Sequence, residues 1–294
     1  MSMPCTPARR TRDDASIMGN IVWLASYPKS GNTWLRAFLA NLVADAEAPV
    51  PLAELPQYCD DEARPELFTA LAGRPSTELT FDEICALRPR VHAAIAAQSP
   101  GTRLVKTHNC AGFVERYPLQ EGAVTAGAIY VVRDPRDVAV SMSHHFGLEI
   151  DAAIERLGDD RVATANDALF VTQVLGSWSH HVSSWADLAG PRVVVLRYED
   201  LVANPVFEFT KAARLLKLDD ERARIERAVL HASFESLAGQ ERTEGFAEAS
   251  DKSQRFFREG RPGQWRTELT LEQSARVLAR HGAQMSRFGY AAAR

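Results

Sequence analysis

Residues 20–41 read NIVWLASYPKSGNTWLRAFLAN. Ile21 to Ala25 is an apolar run without polar alternation, which predicts a parallel strand buried on both faces. Beyond a short turn, Trp34, Leu35, Phe38, Leu39 and Leu42 recur at helical spacing, so the helix they form packs back on that strand. Between the two, Lys29, Gly31 and the hydroxyls of Ser30 and Thr33 meet the free backbone N–H groups of a helix N-terminus. That combination makes an anion site suited to phosphate or sulfate.

Working outward, the length of 294 residues allows one large α/β domain or two small ones. The formal net charge of -4 argues against a general polyanion-binding surface, so anion recognition is local and nucleic acid is not an expected partner. Cys5, Cys59, Cys85 and Cys110 lie far apart with no C-x-x-C pair, which fits neither a disulfide framework nor a zinc site and points to a reducing, cytoplasmic setting. Residues 1–19 carry Arg9, Arg10, Arg12, Asp13 and Asp14 without an apolar run, and read as a disordered tail rather than an export signal. No apolar run approaches the length of a membrane span.

Further along, residues 46–66 are rich in proline and acid and read as an irregular connection or lid. Helices are expected near 65–72 and 80–98, the second capped by Thr80. The stretch 102–108, TRLVKTH, is a short strand ending in Lys106, Thr107 and His108. Ala128 to Phe146, AIYVVRDPRDVAVSMSHHF, repeats the pattern of buried strand and helix, with Asp134 as N-cap and Pro135 in the first turn. Arg133 then stands at a strand end and Ser141 almost two turns into the helix; an ion pair to Asp137 and a back-bond to the helix are their bland alternatives. The pairs His144-His145 and His180-His181 point in different directions on helices and are poor metal sites. Residues 163–188 read as a long helix with Trp178 and Trp185 in the core, and Arg192 to Tyr198 as another buried strand. Phe256 to Arg266, FFREGRPGQWR, is a loop, and Leu271 to Phe288 a closing amphipathic helix.

The first turn differs from a nucleotide P-loop, because its lysine precedes the glycine and the earlier glycine is missing. YPKSGNTW instead resembles the loop of the sulfotransferases that use 3'-phosphoadenylyl sulfate (PAPS), where it binds the 5'-phosphosulfate. The resemblance extends to K-T-H at 106–108, to R-x-x-x-D-x-x-x-S from Arg133 to Ser141, to Tyr198-Glu199-Asp200, to Ser233-Phe234, and to Arg258, Gly260, Gly263 and Trp265 of the late loop. It implies one α/β domain over 20–294, with a central parallel sheet flanked by helices. It also implies catalytic roles for His108, Lys29 and Lys106. Cofactor contacts are implied for Lys29, Ser30, Gly31, Asn32, Thr33, Trp34, Arg133, Ser141, Tyr198, Ser233, Arg258 and Gly260.

The departures are as specific as the matches. Asn109 and Cys110 replace the usual leucine and proline after the histidine, and Ala232 replaces a threonine. Glu259 stands where a cofactor-binding lysine is usual, so its carboxylate should turn outward or be neutralised by a cation such as Arg261. Of the family's dimer motif, Arg266, Thr270 and Leu271 have counterparts but Ala275 replaces the glutamate, which implies a monomer or weak homodimer. The function so implied is sulfuryl transfer from PAPS to a hydroxyl or amine of a small-molecule acceptor, releasing adenosine 3',5'-bisphosphate (PAP) without a metal. A P-loop-type kinase and a non-catalytic PAP-binding protein are the alternatives.

Overall fold

The first strand, β1 (Ile21–Ser26), is buried along its whole length because it is the middle of a five-stranded sheet ordered β2-β3-β1-β6-β7. The other members are β2 (Asp60–Asp61), β3 (Arg103–Thr107), β6 (Thr125–Val132) and β7 (Val193–Arg197), and every pairing is parallel. A two-stranded antiparallel ribbon, β4 (Phe113–Val114) with β5 (Tyr117–Pro118), stands apart. The computed structural model describes residues 19–190 and 192–290, so the tail expected at 1–19 lies outside the described residues but for Gly19, and Cys5 lies outside them too.

Helices alternate with the strands: α1 (Asn32–Ala44), α2 (Leu55–Tyr58), α3 (Pro65–Ala72), α4 (Phe81–Ala97), α5 (Pro135–Phe146), α6 (Ile150–Gly158) and α7 (Trp178–Ala186). After β7 come α8 (Tyr198–Ala203), α9 (Pro205–Leu215), α10 (Arg222–His231), α11 (Phe234–Glu244), α12 (Trp265–Glu268) and α13 (Leu271–Arg287). Because side chains alternate across a strand, β1 feeds two cores. Ile21, Trp23 and Ala25 pack with Phe68, Ile84, Val138, Trp178, Trp185 and Val277, whereas Val22 and Leu24 pack with Leu35, Phe38, Phe209 and Ile225 on the other face. Phe38 stacks on Phe209 with centroids 4.1 Å apart, tying α1 to α9.

The capping expectations hold. Asp134 accepts from the Arg136 N–H with Pro135 behind it, and Thr80 forms a reciprocal capping box with Glu83. Two expectations do not. Residues 46–66 are less irregular than their prolines suggest, since Asp60 and Asp61 add an edge strand beside β3. The helix expected over 163–188 is confined to Trp178–Ala186. Asp167 Oδ1 accepts from the N–H groups of Leu169 and Phe170, Gly176 adopts φ +64°, and Ser177 caps the helix that follows, so local turn bonds outcompete helix up to that point. Trp178 and Trp185 are core residues as expected, both at most 2% exposed.

Candidate active site

Helix α1 begins without a side-chain cap, and that leaves its first N–H groups for a ligand. The turn before it is held in conformations seldom used by L residues: Lys29 has φ +67° and Gly31 φ +108°. Gly31 is required there, because a Cβ would lie 2.9 Å from Cδ2 of Tyr198, whose ring closes the turn from β7. Asn32 anchors it by donating to the Leu24 carbonyl at 2.8 Å. Ser30 Oγ and Trp34 Nε1 are buried with no hydrogen-bond partner, and Thr33 Oγ1 accepts from Arg36 Nη2 at 3.0 Å. Lys29 Nζ rests over the Phe256 ring, 3.9 Å from its centre. Burial, then the neighbouring charge of Arg133, pulls the Lys29 ammonium down to about 7. Two cations, Lys29 and Arg133, thus meet at a turn that also carries the unpartnered Ser30 Oγ. Both features fit a bound anion.

The next parallel strand over, β6, delivers Arg133. Its Nη1 donates to the Lys29 carbonyl at 3.1 Å, its guanidinium stacks 4.4 Å over the Tyr198 ring, and Nε is buried without a partner. The alternative ion pair to Asp137 is long, at 4.0 Å, because Asp137 is already used. It accepts from the N–H groups of Gly263 and Trp265 at 2.6 and 2.9 Å and so docks the late loop on α5. Ser141 lies half-buried on α5, without the back-bond to its own helix among the described residues.

On the other side of β1, the end of β3 carries His108. Its Nδ1 lies 2.8 Å from the Ser26 carbonyl, and a carbonyl only accepts, so Nδ1 holds the proton and Nε2 carries the lone pair. Burial, then the charge of Lys106, pushes the imidazole down to about 4, which keeps it neutral at pH 7. Its backbone is clamped as well: the N–H donates to Gln173 Oε1 at 2.9 Å, and its carbonyl accepts from His181 Nε2 at 3.1 Å. His181 Nδ1 in turn accepts from Tyr130 OH at 3.0 Å. Beneath lies Glu62, fully buried, which accepts from Thr107 Oγ1, from Asn109 Nδ2 at 2.7 Å and from Arg88 Nη1 at 2.8 Å, and pairs with His92 Nε2 at 2.8 Å. Burial pushes its carboxyl up, but Arg88 and His92 outweigh that and hold it at about 2. Lys106 pairs with Asp61 at 2.9 Å.

Of the remaining expected residues, Ser233 caps α11 by accepting from the Ser236 N–H. Gly260 (φ +64°) rests against Phe234, where a Cβ would fall 2.1 Å from the ring, so the late loop and the Ser233-Phe234 segment meet. Arg258 is held within its own loop by Glu259, Gln264 and Glu268. Glu259 is neutralised by Arg258 at 2.9 Å and Arg261 at 2.8 Å. Within each pair the surroundings differ: His144 bonds Glu268 whereas His145 meets the Phe256 ring, and His180 is half-buried whereas His181 lies in the core. Among the described residues no cluster of three or more His, Cys, Asp or Glu side chains could hold a metal. Sequence reasoning missed Glu62, Gln173, Arg36, Asp61 and Glu248, and considered His181 only as a poor metal ligand. Its spacing from Trp178 and Trp185 on one helical face was the available signal.

One family model matches nearly the whole chain: the sulfotransferase domain, over residues 20–289. The protein is a sulfotransferase. It is 27% identical to mouse Sulfotransferase 1B1 over 284 residues, covering 94% of this chain and 86% of that protein. It is 26% identical to Arabidopsis thaliana Cytosolic sulfotransferase 16 over 279 residues, covering 86% and 72%. Its fold resembles retinol dehydratase in complex with retinol and PAP, with a TM-score of 0.62, 21% identity and coverage of 92% and 82%. It also resembles mouse sulfotransferase SULT7A1 complexed with PAP, at 0.58, 22%, 93% and 90%. The sulfotransferase reading supersedes the P-loop kinase alternative. Among the described residues no helix is long and apolar enough to cross a membrane.

Proposed function

We propose that this sulfotransferase moves a sulfuryl group from PAPS to a hydroxyl or amine of a small-molecule acceptor, with PAP as the other product. Bound PAPS supplies an electrophilic sulfuryl group on a phosphate leaving group. Lys29, Ser30, Gly31, Asn32, Thr33 and the α1 N–H groups hold its 5' end. Arg133 and Ser141 read the 3'-phosphate, Trp34, Tyr198 and Ser233 line the adenine side, and Arg258 and Gly260 close the loop over it.

His108 Nε2 takes the acceptor proton, and its fixed tautomer keeps that lone pair turned away from Ser26. Lys29 and Lys106 offset charge building on the leaving and transferred oxygens. No covalent enzyme intermediate is needed, since in-line transfer depends on position and charge. The observation that carries the reading is a neutral base and two cation sites on three neighbouring parallel strand ends. A cytoplasmic setting is supported by the cytosolic name of the plant relative, and the partial dimer motif supports a monomer or weak homodimer.

An acceptor panel of phenols, alcohols, sugars and amines with labelled PAPS, read by mass spectrometry, tests the reading. Sulfate gain on at least one acceptor class without added magnesium is expected. Tight PAP binding with no transfer to any acceptor would point to a non-catalytic PAP-binding protein.

A further inference from the structure

Arg36 lies one turn beyond Thr33 on α1, 5% exposed, with its Nε buried and without a partner. Its anionic partner comes from the stretch between α11 and α12: Nη2 donates to Glu248 Oε2 at 2.8 Å. The same oxygen lies 3.6 Å from Lys106 Nζ. Glu248 therefore bridges two cations, one beside a cradle hydroxyl and the other two residues before the base. Burial pushes its carboxyl up, yet Arg36 and Lys106 together hold it at about 2, so it stays an anion. A carboxylate so placed presents to Arg36 and Lys106 the oxygens that a sulfuryl group in transfer would present. Both anions cannot sit there, because like charges within a few ångströms repel strongly.

We propose that Arg36 is a further binding residue for the sulfuryl group and that Glu248 is its resident counter-ion, displaced when PAPS enters. This rests on the reading of the β1–α1 turn as the PAPS cradle. The segment carrying Glu248 leaves α11 at its C-cap, Gly245, which adopts φ +77°. It is also coupled to the cradle, since Phe246 packs on Phe256, whose ring carries Lys29 Nζ. PAP lacks the sulfuryl group and leaves Glu248 on Arg36. Glu248 thus sets the balance between donor and product.

The test is equilibrium binding of PAPS and of PAP, without acceptor, to the wild type, Glu248→Gln, Arg36→Met and the double variant, with circular dichroism to verify folding. Glu248→Gln should tighten PAPS roughly tenfold and PAP by less than about threefold. Arg36→Met should weaken PAPS roughly tenfold and abolish the gain from Glu248→Gln. Should Arg36→Met not fold, Arg36→Lys keeps the charge and must preserve most of that gain. Unchanged or weaker PAPS binding by Glu248→Gln overturns the proposal, and equal tightening of PAPS and PAP overturns the assignment to the sulfuryl group. A wild type that binds neither nucleotide overturns the cradle reading, and this inference with it.

Discussion

The β1–α1 turn and the platform under His108 sit at neighbouring strand ends and are built in opposite ways. Seven consecutive residues, Tyr27 to Thr33, make the turn, and its tertiary help is a ring, Tyr198, a guanidinium, Arg133, and a lid ring, Phe256. The platform gathers Glu62, Gln173, His181 and Ser26 from four separate segments: Ser26 bonds the imidazole, Gln173 and His181 the His108 backbone, and Glu62 the neighbouring Asn109. A cradle that uses backbone N–H groups needs chiefly a backbone shape, and a short motif can encode that. A base needs a fixed tautomer and a fixed direction, and here these take a carbonyl from the neighbouring strand and distant side chains that clamp the backbone of His108.

The largest expected effect breaks the platform at its tip. Replacing His108 by Ala should lower turnover by roughly two to four orders of magnitude while PAP affinity stays within about twofold. Turnover near that of the wild type would remove His108 as base. A break one layer down should read as stability. Glu62→Ala leaves buried Arg88 uncompensated and strips Thr107 and Asn109 of their shared acceptor, costing about 3–5 kcal/mol. A loss under about 1 kcal/mol by denaturant unfolding would show that the platform does not depend on it.

The cradle can be sharpened by pH. Lys29 is held at about 7 when the site carries no phosphate, and a bound phosphate raises it, so binding takes up a proton. PAP affinity should therefore be full below pH 7 and fall by up to about tenfold per unit above it. Phosphate ionisation, with a second pKa of about 6, adds negative charge as pH rises and so cannot produce that fall. A flat titration from pH 7 to 9, or the same fall in Lys29→Met, would separate Lys29 from the phosphate.

This division also explains what could be read from the chain. Strand β1, helix α1, the Asp134 cap and the placement of Lys29, Arg133 and His108 at strand ends follow from local pattern, because the apolar period and the cap chemistry are local. Glu62 and Gln173 could not be found that way, since their partners lie 26 to 65 residues off and nothing in CDDEAR or VTQV marks either as special. The mistaken helix over 163–177 has the same origin. Val171, Val174 and Leu175 have helical spacing but are buried from an irregular segment that reaches His108 through Gln173. Glu259 was legible as a departure, and its neutralisation by Arg258 and Arg261 leaves it little reach toward a phosphate.

The central claim is that the cationic sites flanking the end of β1 hold one nucleotide phosphorylated at both its 3' and 5' positions. Calorimetric titration of PAP and of AMP into the wild type and Arg133→Ala tests it most directly. The wild type should bind PAP at least about tenfold more tightly than AMP, and Arg133→Ala should lose most of that margin while binding AMP much as before. Equal affinity of the wild type for PAP and AMP would contradict it.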